Sequence, residues 1–153
     1  MKSIKVALAH RSNGQGTNEG KVIVTNQNYN TGNQSRSMNT FYTEFSFQHD
    51  TLVTEFKIWI PFYETIHGTD NPDIMEYIGY TSLKFNYFLQ KHMFTLMGRG
   101  NIETGNGAVE ATYSYPLIKD TYFYTKAFTG YGESLIDYNN YVTKFSIGFS
   151  FSR

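Results

Sequence analysis

Ser3-Ile4-Lys5-Val6-Ala7-Leu8-Ala9-His10-Arg11-Ser12 alternates residue by residue. Successive side chains of a strand point to opposite faces, so Ile4, Val6 and Leu8 share one side. Ser3, Lys5, Ala7, Ala9 and Arg11 share the other. By the same parity His10 and Ser12 continue the apolar side. In a soluble sheet that side would be the core, and polar groups there would be buried. In a membrane barrel it faces lipid, and a nucleophile there can reach lipid.

The alternation returns along the chain. Phe41, Thr43, Phe45 and Phe47 oppose Tyr42, Glu44, Ser46 and Gln48; Leu52, Thr54, Phe56, Ile58 and Ile60 oppose Val53, Glu55, Lys57 and Trp59. Further on, Tyr141, Thr143, Phe145, Ile147, Phe149 and Phe151 oppose Lys144, Ser146, Gly148 and Ser150. One face suits hydrocarbon and the other a polar, charge-paired interior. Strands are expected at 3–10, 38–48, 52–62, 76–89, 93–103, 107–115, 121–130 and 140–151, with no helical period competing over any long window. Most are ~9–14 residues long, the reach of tilted membrane strands, where soluble strands average ~5–6. The expected fold is all-β, an antiparallel transmembrane β-barrel forming a single domain over 1–153.

Composition agrees. Basic and acidic side chains number 13 each, so no cationic field marks a nucleic-acid partner. The 13 Tyr and 13 Phe favour strands and supply the aromatic girdles of a barrel. With no cysteine, a disulfide framework, a thiol nucleophile and a thiolate metal site are excluded. No run approaches the ~18 consecutive apolar residues of a transmembrane helix. Met1-Lys2-Ser3 leads almost directly into a strand without an apolar signal core, so the chain is expected to be part of a longer protein.

Connections at 49–51, 90–92 and 116–120 are tight, 11–37 and 63–75 are long, 131–139 is intermediate, and 104–106 is short. Outer-membrane barrels place short turns at the periplasmic end and longer loops outside. An up-and-down path then brings His10, Ser12 and the connections 63–75 and 131–139 to the external end. Segment 11–37 reads as a polar loop, with Val22-Ile23-Val24 suited to a short hairpin extension.

Asn39 has the parity of Phe41 and Thr43 and so joins the lipid side. Pairing of the first two segments through 11–37 sets it beside His10. A serine hydroxyl needs a base to become nucleophilic, and histidine can take and return a proton near neutral pH. The histidine in turn needs a partner that fixes its tautomer; an amide can do so, though it stabilises imidazolium less than a carboxylate does. Backbone N–H groups around Asn13 and Gly14 would supply an oxyanion site, since glycine permits close approach. Taken singly, His10-x-Ser12 also reads as a polar strand end and Asn39 as a strand start. The alternative function is a non-catalytic structural barrel, closed on itself, or an inactive remnant of an enzyme. What discriminates is the coincidence of Ser12, His10 and Asn39 on one apolar face at one rim.

His10-Arg11-Ser12-Asn13-Gly14, Ser35-Arg36-Ser37-Met38-Asn39, Asp70-Asn71-Pro72-Asp73-Ile74 and Gly130-Tyr131-Gly132-Glu133-Ser134-Leu135-Ile136-Asp137-Tyr138-Asn139 occur in this order across nearly the whole chain. Together they resemble the outer-membrane phospholipase A family of Gram-negative bacteria. The resemblance implies a barrel of about twelve strands, about eight of them present here and the N-terminal ones missing. It implies calcium-dependent hydrolysis of phospholipid acyl esters (phospholipase A1 and A2 activity) at the outer leaflet of the outer membrane, in a homodimer. On this match Ser12 is the nucleophile, His10 the base and Asn39 the orienting group. The calcium ligands implied are the main-chain carbonyl of Gln15 and the hydroxyl of Ser35, with Asp70 matching a carboxylate of a second site used by the monomer. Calcium takes such mixed oxygen donors. Asp70 also reads as a turn residue in Thr69-Asp70-Asn71-Pro72. The chain departs from the family in its longer segment 15–34, where no acidic residue aligns cleanly with a further calcium carboxylate; Glu19 is nearest.

Overall fold

In the computed structural model, residues 1–13, 35–62 and 71–151 are described. The strands are β1 (Ser3–Ser12), β2 (Ser37–His49), β3 (Leu52–Phe62), β4 (Thr81–Leu89), β5 (His92–Gly100), β6 (Gly107–Ile118), β7 (Thr121–Gly130) and β8 (Val142–Phe151). A short helix, α1 (Ile74–Ile78), precedes β4. All eight strands form one antiparallel sheet in sequence order, with β1 and β8 at its two edges. The sheet is thus an open wall of the expected barrel.

The alternation places apolar side chains on the outer face. Leu8 is 71% exposed, Ile60 63% and Phe145 69%, values that fit a face solvated by hydrocarbon rather than one packed into a core. The inner face holds charges as cross-strand pairs. Lys57 lies opposite Glu44 with Nζ 3.6 Å from the carboxylate, and Lys84 lies opposite Glu55 and pairs with it. Lys126 reaches Glu110 at 2.9 Å. At one end the strands are joined by two-residue turns, each with one non-glycine residue at positive φ: Asp50, Gln90 and Asp120. Beside them on the outer face His92, Phe94, Tyr113 and Tyr115 cluster, with His92 Nδ1 2.9 Å from the Tyr113 hydroxyl. Such an aromatic group belongs where a barrel wall meets headgroups.

The structure corrects the expected boundaries at the other end. Residues 76–80 do not begin a strand: α1 occupies 74–78, and β4 starts at Thr81. Ile74, Met75 and Ile78 share the buried side of the helix, at 1%, 4% and 5% exposure. They pack with Met38, Tyr42, Trp59 and Tyr138 over the inner face. The interior is therefore not uniformly polar; toward this end it is an apolar seat for α1. The helix stops at Gly79, whose φ of +68° is a left-handed conformation open to glycine, and whose N–H donates to the Met75 carbonyl at 3.0 Å. A side chain there would collide with β5, since a Cβ would lie 1.8 Å from the Gly100 carbonyl oxygen. Polar side chains of the β5–β6 turn fasten the helix: Asn101 donates to the Met75 carbonyl at 3.0 Å, and Asn106 to that of Glu76 at 3.2 Å.

Candidate active site

Strands β1 and β2 pair so that His10 faces Asn39 and Ser12 faces Ser37. Directly opposed residues bring their side chains together on one face. The ring Nδ1 of His10 lies 2.7 Å from the amide oxygen of Asn39. A carbonyl oxygen can only accept, so Nδ1 carries a proton, and in the neutral ring the lone pair is then on Nε2. This is the tautomer a general base needs. Ser12 follows two positions along β1 on the same outer face, and both His10 and Ser12 are exposed. The structure thus unites the expected residues Ser12, His10 and Asn39 at one rim of the apolar face.

Past Ser12 the two strands stay joined. The Asn13 N–H donates to the Arg36 carbonyl and the Arg36 N–H to the Asn13 side-chain oxygen, both at 3.1 Å. This corrects part of the oxyanion expectation, because the Asn13 N–H is already committed to its neighbour strand. Gly14, the expected oxyanion donor, lies outside the described residues, as do Gln15, Glu19, the Val22-Ile23-Val24 island and Asp70. Ser35 is described, and stands next to Arg36 at the same rim; the Arg36 guanidinium donates to its carbonyl at 2.7 Å.

A second layer, absent from the sequence reading, braces this rim. Asn71, 2% exposed, accepts the Ser37 N–H on its side-chain oxygen at 2.8 Å. Two residues on, Asp73 accepts a hydrogen bond from the Tyr138 hydroxyl. The Arg36 guanidinium stands over the Tyr138 ring, 5.9 Å from its centroid, and Tyr77 meets that ring edge-on at 5.6 Å. Burial, reinforced by the Asp73 carboxylate, pushes the Tyr138 phenol above its ordinary value. A signal for this layer was present: Arg36, Asn71, Asp73 and Tyr138 all fall inside the stretches that carried the family resemblance.

Among the described residues no group of three or more His, Asp or Glu side chains gathers as a metal site. The donors expected for calcium, a carbonyl, a hydroxyl and a carboxylate, are all oxygens and match a hard cation. Ser35 at the rim, and Asn71 beside Asp70 in sequence, put two of these stretches next to the β1–β2 end.

An antiparallel barrel wall with a hydrogen-bonded histidine and asparagine and a neighbouring serine on its apolar face is a membrane barrel with a polar centre turned toward lipid. The chain belongs to the phospholipase A1 family, whose sequence profile matches residues 1–151. Phospholipase A1 of Escherichia coli strain K12 is 40% identical over 114 residues, covering 74% of this chain and 38% of that protein. The putative phospholipase A1 of Neisseria meningitidis serogroup B is 32% identical, covering 99% of this chain and 36% of the relative. Outer membrane phospholipase A from Escherichia coli superposes with a TM-score of 0.80 at 34% identity, covering 97% of this chain and 51% of that one. The Salmonella typhi outer membrane phospholipase dimer with bound calcium gives 0.81 at 34% identity over the same shares. The chain therefore spans 38% of the Escherichia coli relative's length and 51% of the solved chains'.

Proposed function

We propose that this chain carries the catalytic centre of an outer-membrane phospholipase A that hydrolyses phospholipid acyl esters at the outer leaflet. The observation that supports this most directly is the 2.7 Å contact between His10 Nδ1 and the Asn39 amide oxygen on the lipid-facing side. His10 Nε2 takes the hydroxyl proton as Ser12 Oγ bonds to the ester carbonyl carbon. The carbonyl oxygen becomes negative and is met by the backbone N–H of Gly14. As the tetrahedral centre collapses, the glycerol oxygen leaves as lysophospholipid and takes the proton from His10. Water then attacks the acyl-serine with His10 again as base, releasing fatty acid and restoring Ser12. Asn39 holds the ring in one tautomer throughout.

The Gln15 carbonyl and the Ser35 hydroxyl would hold calcium in an active homodimer, and the Asp70 carboxylate would serve a second site. Bound there, the ion would supply divalent positive charge to stabilise the developing oxyanion. The dimer with bound calcium among the similar structures supports this reading.

Ser12→Ala tests the proposal. Ester hydrolysis should fall by at least about a hundredfold, with heat-modifiable barrel migration on gels unchanged. Residual turnover within about tenfold of the parent would remove the serine mechanism.

A further inference from the structure

On the inner face, opposite the lipid side and beneath α1, lies a cavity of about 300 Å³. Arg11, Lys57 and Arg99 line it, and no carboxylate does among the described residues. Arg99 spends Nη2 on the carbonyls of Tyr131 and Gly132, at 3.1 and 2.6 Å. Those acceptors are neutral, and Glu110, the carboxylate that acts on Arg99 electrostatically, is itself paired with Lys126 at 2.9 Å. Lys57 is compensated only at 3.6 Å by Glu44, while its ammonium stands 3.9 Å above the Tyr42 ring. On the lining residues, two buried donors reach no acceptor among the described residues: the indole Nε1 of Trp59 and Nε of Arg99. Trp59 lines the cavity and is 9% exposed.

Water would satisfy the donors, but it leaves the excess positive charge unanswered. An oxyanion answers both, because its several oxygens accept in different directions and its charge meets the guanidinium groups. We propose that this cavity binds a small soluble oxyanion of the phosphate class, held by Arg11, Lys57 and Arg99 with the Trp59 N–H as donor. The cavity's lining residues Arg11, Tyr42, Lys57 and Trp59 all lie on the inner face, with the sheet between them and the lipid side, so the ligand proposed is a soluble ion rather than a lipid headgroup. Its volume exceeds the ~30 Å³ share of a water molecule severalfold, enough for one such ion with part of its hydration.

Trp59 is the one tryptophan of these 153 residues, so within this chain its emission reports on the site. The protein, folded in detergent micelles, is titrated with inorganic phosphate at constant ionic strength, balanced by chloride. A saturable change in emission is expected with phosphate and none with chloride alone, and Trp59→Phe should abolish the signal. Lys57→Gln and, separately, Arg11→Gln should each raise the half-saturating concentration about fivefold or more. Heat-modifiable migration checks that each variant is folded; Arg11, exposed at the rim, keeps the test open if Lys57→Gln fails to fold. A response that is linear, absent or equal in chloride would overturn the proposal, as would unchanged half-saturation in both folded variants.

Discussion

The side-chain oxygen of Asn71 accepts the main-chain N–H of Ser37, and Ser37 is the residue that β2 sets opposite Ser12. One amide therefore ties the connection carrying α1 to the end of β2, the strand end that faces the candidate nucleophile on β1. Asn71→Ala leaves that N–H without its acceptor, at a cost of about 1–3 kcal/mol. Amide exchange at Ser37 should quicken by about tenfold or more, and ester hydrolysis should fall by a similar factor while the barrel stays folded. Unchanged exchange at Ser37 would show that the bond contributes nothing to holding the rim.

His10→Ala should cost more than Asn39→Ala. The first removes the proposed base, a role worth about 10²–10⁴ in rate. The second removes one hydrogen bond that orients the ring, worth about 0.5–1.5 kcal/mol, or roughly three- to tenfold. Both rates are measured in the same mixed micelles. A larger loss from Asn39→Ala would assign Asn39 a role beyond orientation.

How these residues meet was largely legible from parity. Ile4, Val6 and Leu8 against Lys5, Ala7 and Ala9 define a two-faced strand, and the same parity carries His10 and Asn39 to one face at one end. Antiparallel pairing across 11–37 then makes them neighbours, as the register of β1 and β2 bears out. Helix α1 was not legible, because five residues are under two turns and hold too few positions for a 3.6-residue period to emerge. Ile78 instead joined the strand expected at 76–89, and Ile74 and Met75 fell in the connection expected at 63–75. Asn71 entered the reading only as a member of the turn around Asp70 and of the family-like stretch 70–74, since its contact with Ser37 depends on how a distant connection folds over the sheet. The commitment of the Asn13 N–H to Arg36 was likewise a property of the pair of strands, not of either alone.

Tyr138→Phe removes the hydroxyl that donates to Asp73 and should lower stability near neutral pH by about 1.5–3 kcal/mol. The phenol is raised from its ordinary 10.0 in the folded protein. Its contribution is thus fully present below pH 10 and is lost as pH climbs through the higher folded value. Heat-modification midpoints of parent and variant should differ at pH 7 and converge above pH 10. Parallel curves across that range would mean that the hydroxyl does not stabilise the loop.

Chelation of calcium should lower ester hydrolysis and dimer crosslinking together, and added calcium should restore both where magnesium does not, because a smaller ion demands stricter octahedral geometry. Full activity in excess chelator would take the metal out of the mechanism. Loss of activity with crosslinking unchanged would separate calcium from dimer formation.

Sliding β3 by one residue past its neighbours would turn Glu55 and Lys57 toward hydrocarbon and bring Phe56 and Ile58 inside. A lysine at mid-bilayer costs about 2–4 kcal/mol and an acid somewhat less, whereas a partly solvated ion pair returns about 1 kcal/mol at most. The charges on β2, β3 and β4 therefore act less as glue than as a proofreading code. A misaligned hairpin is disfavoured in the bilayer whatever its loops do. The alignment that survives this check is the one that seats His10 against Asn39.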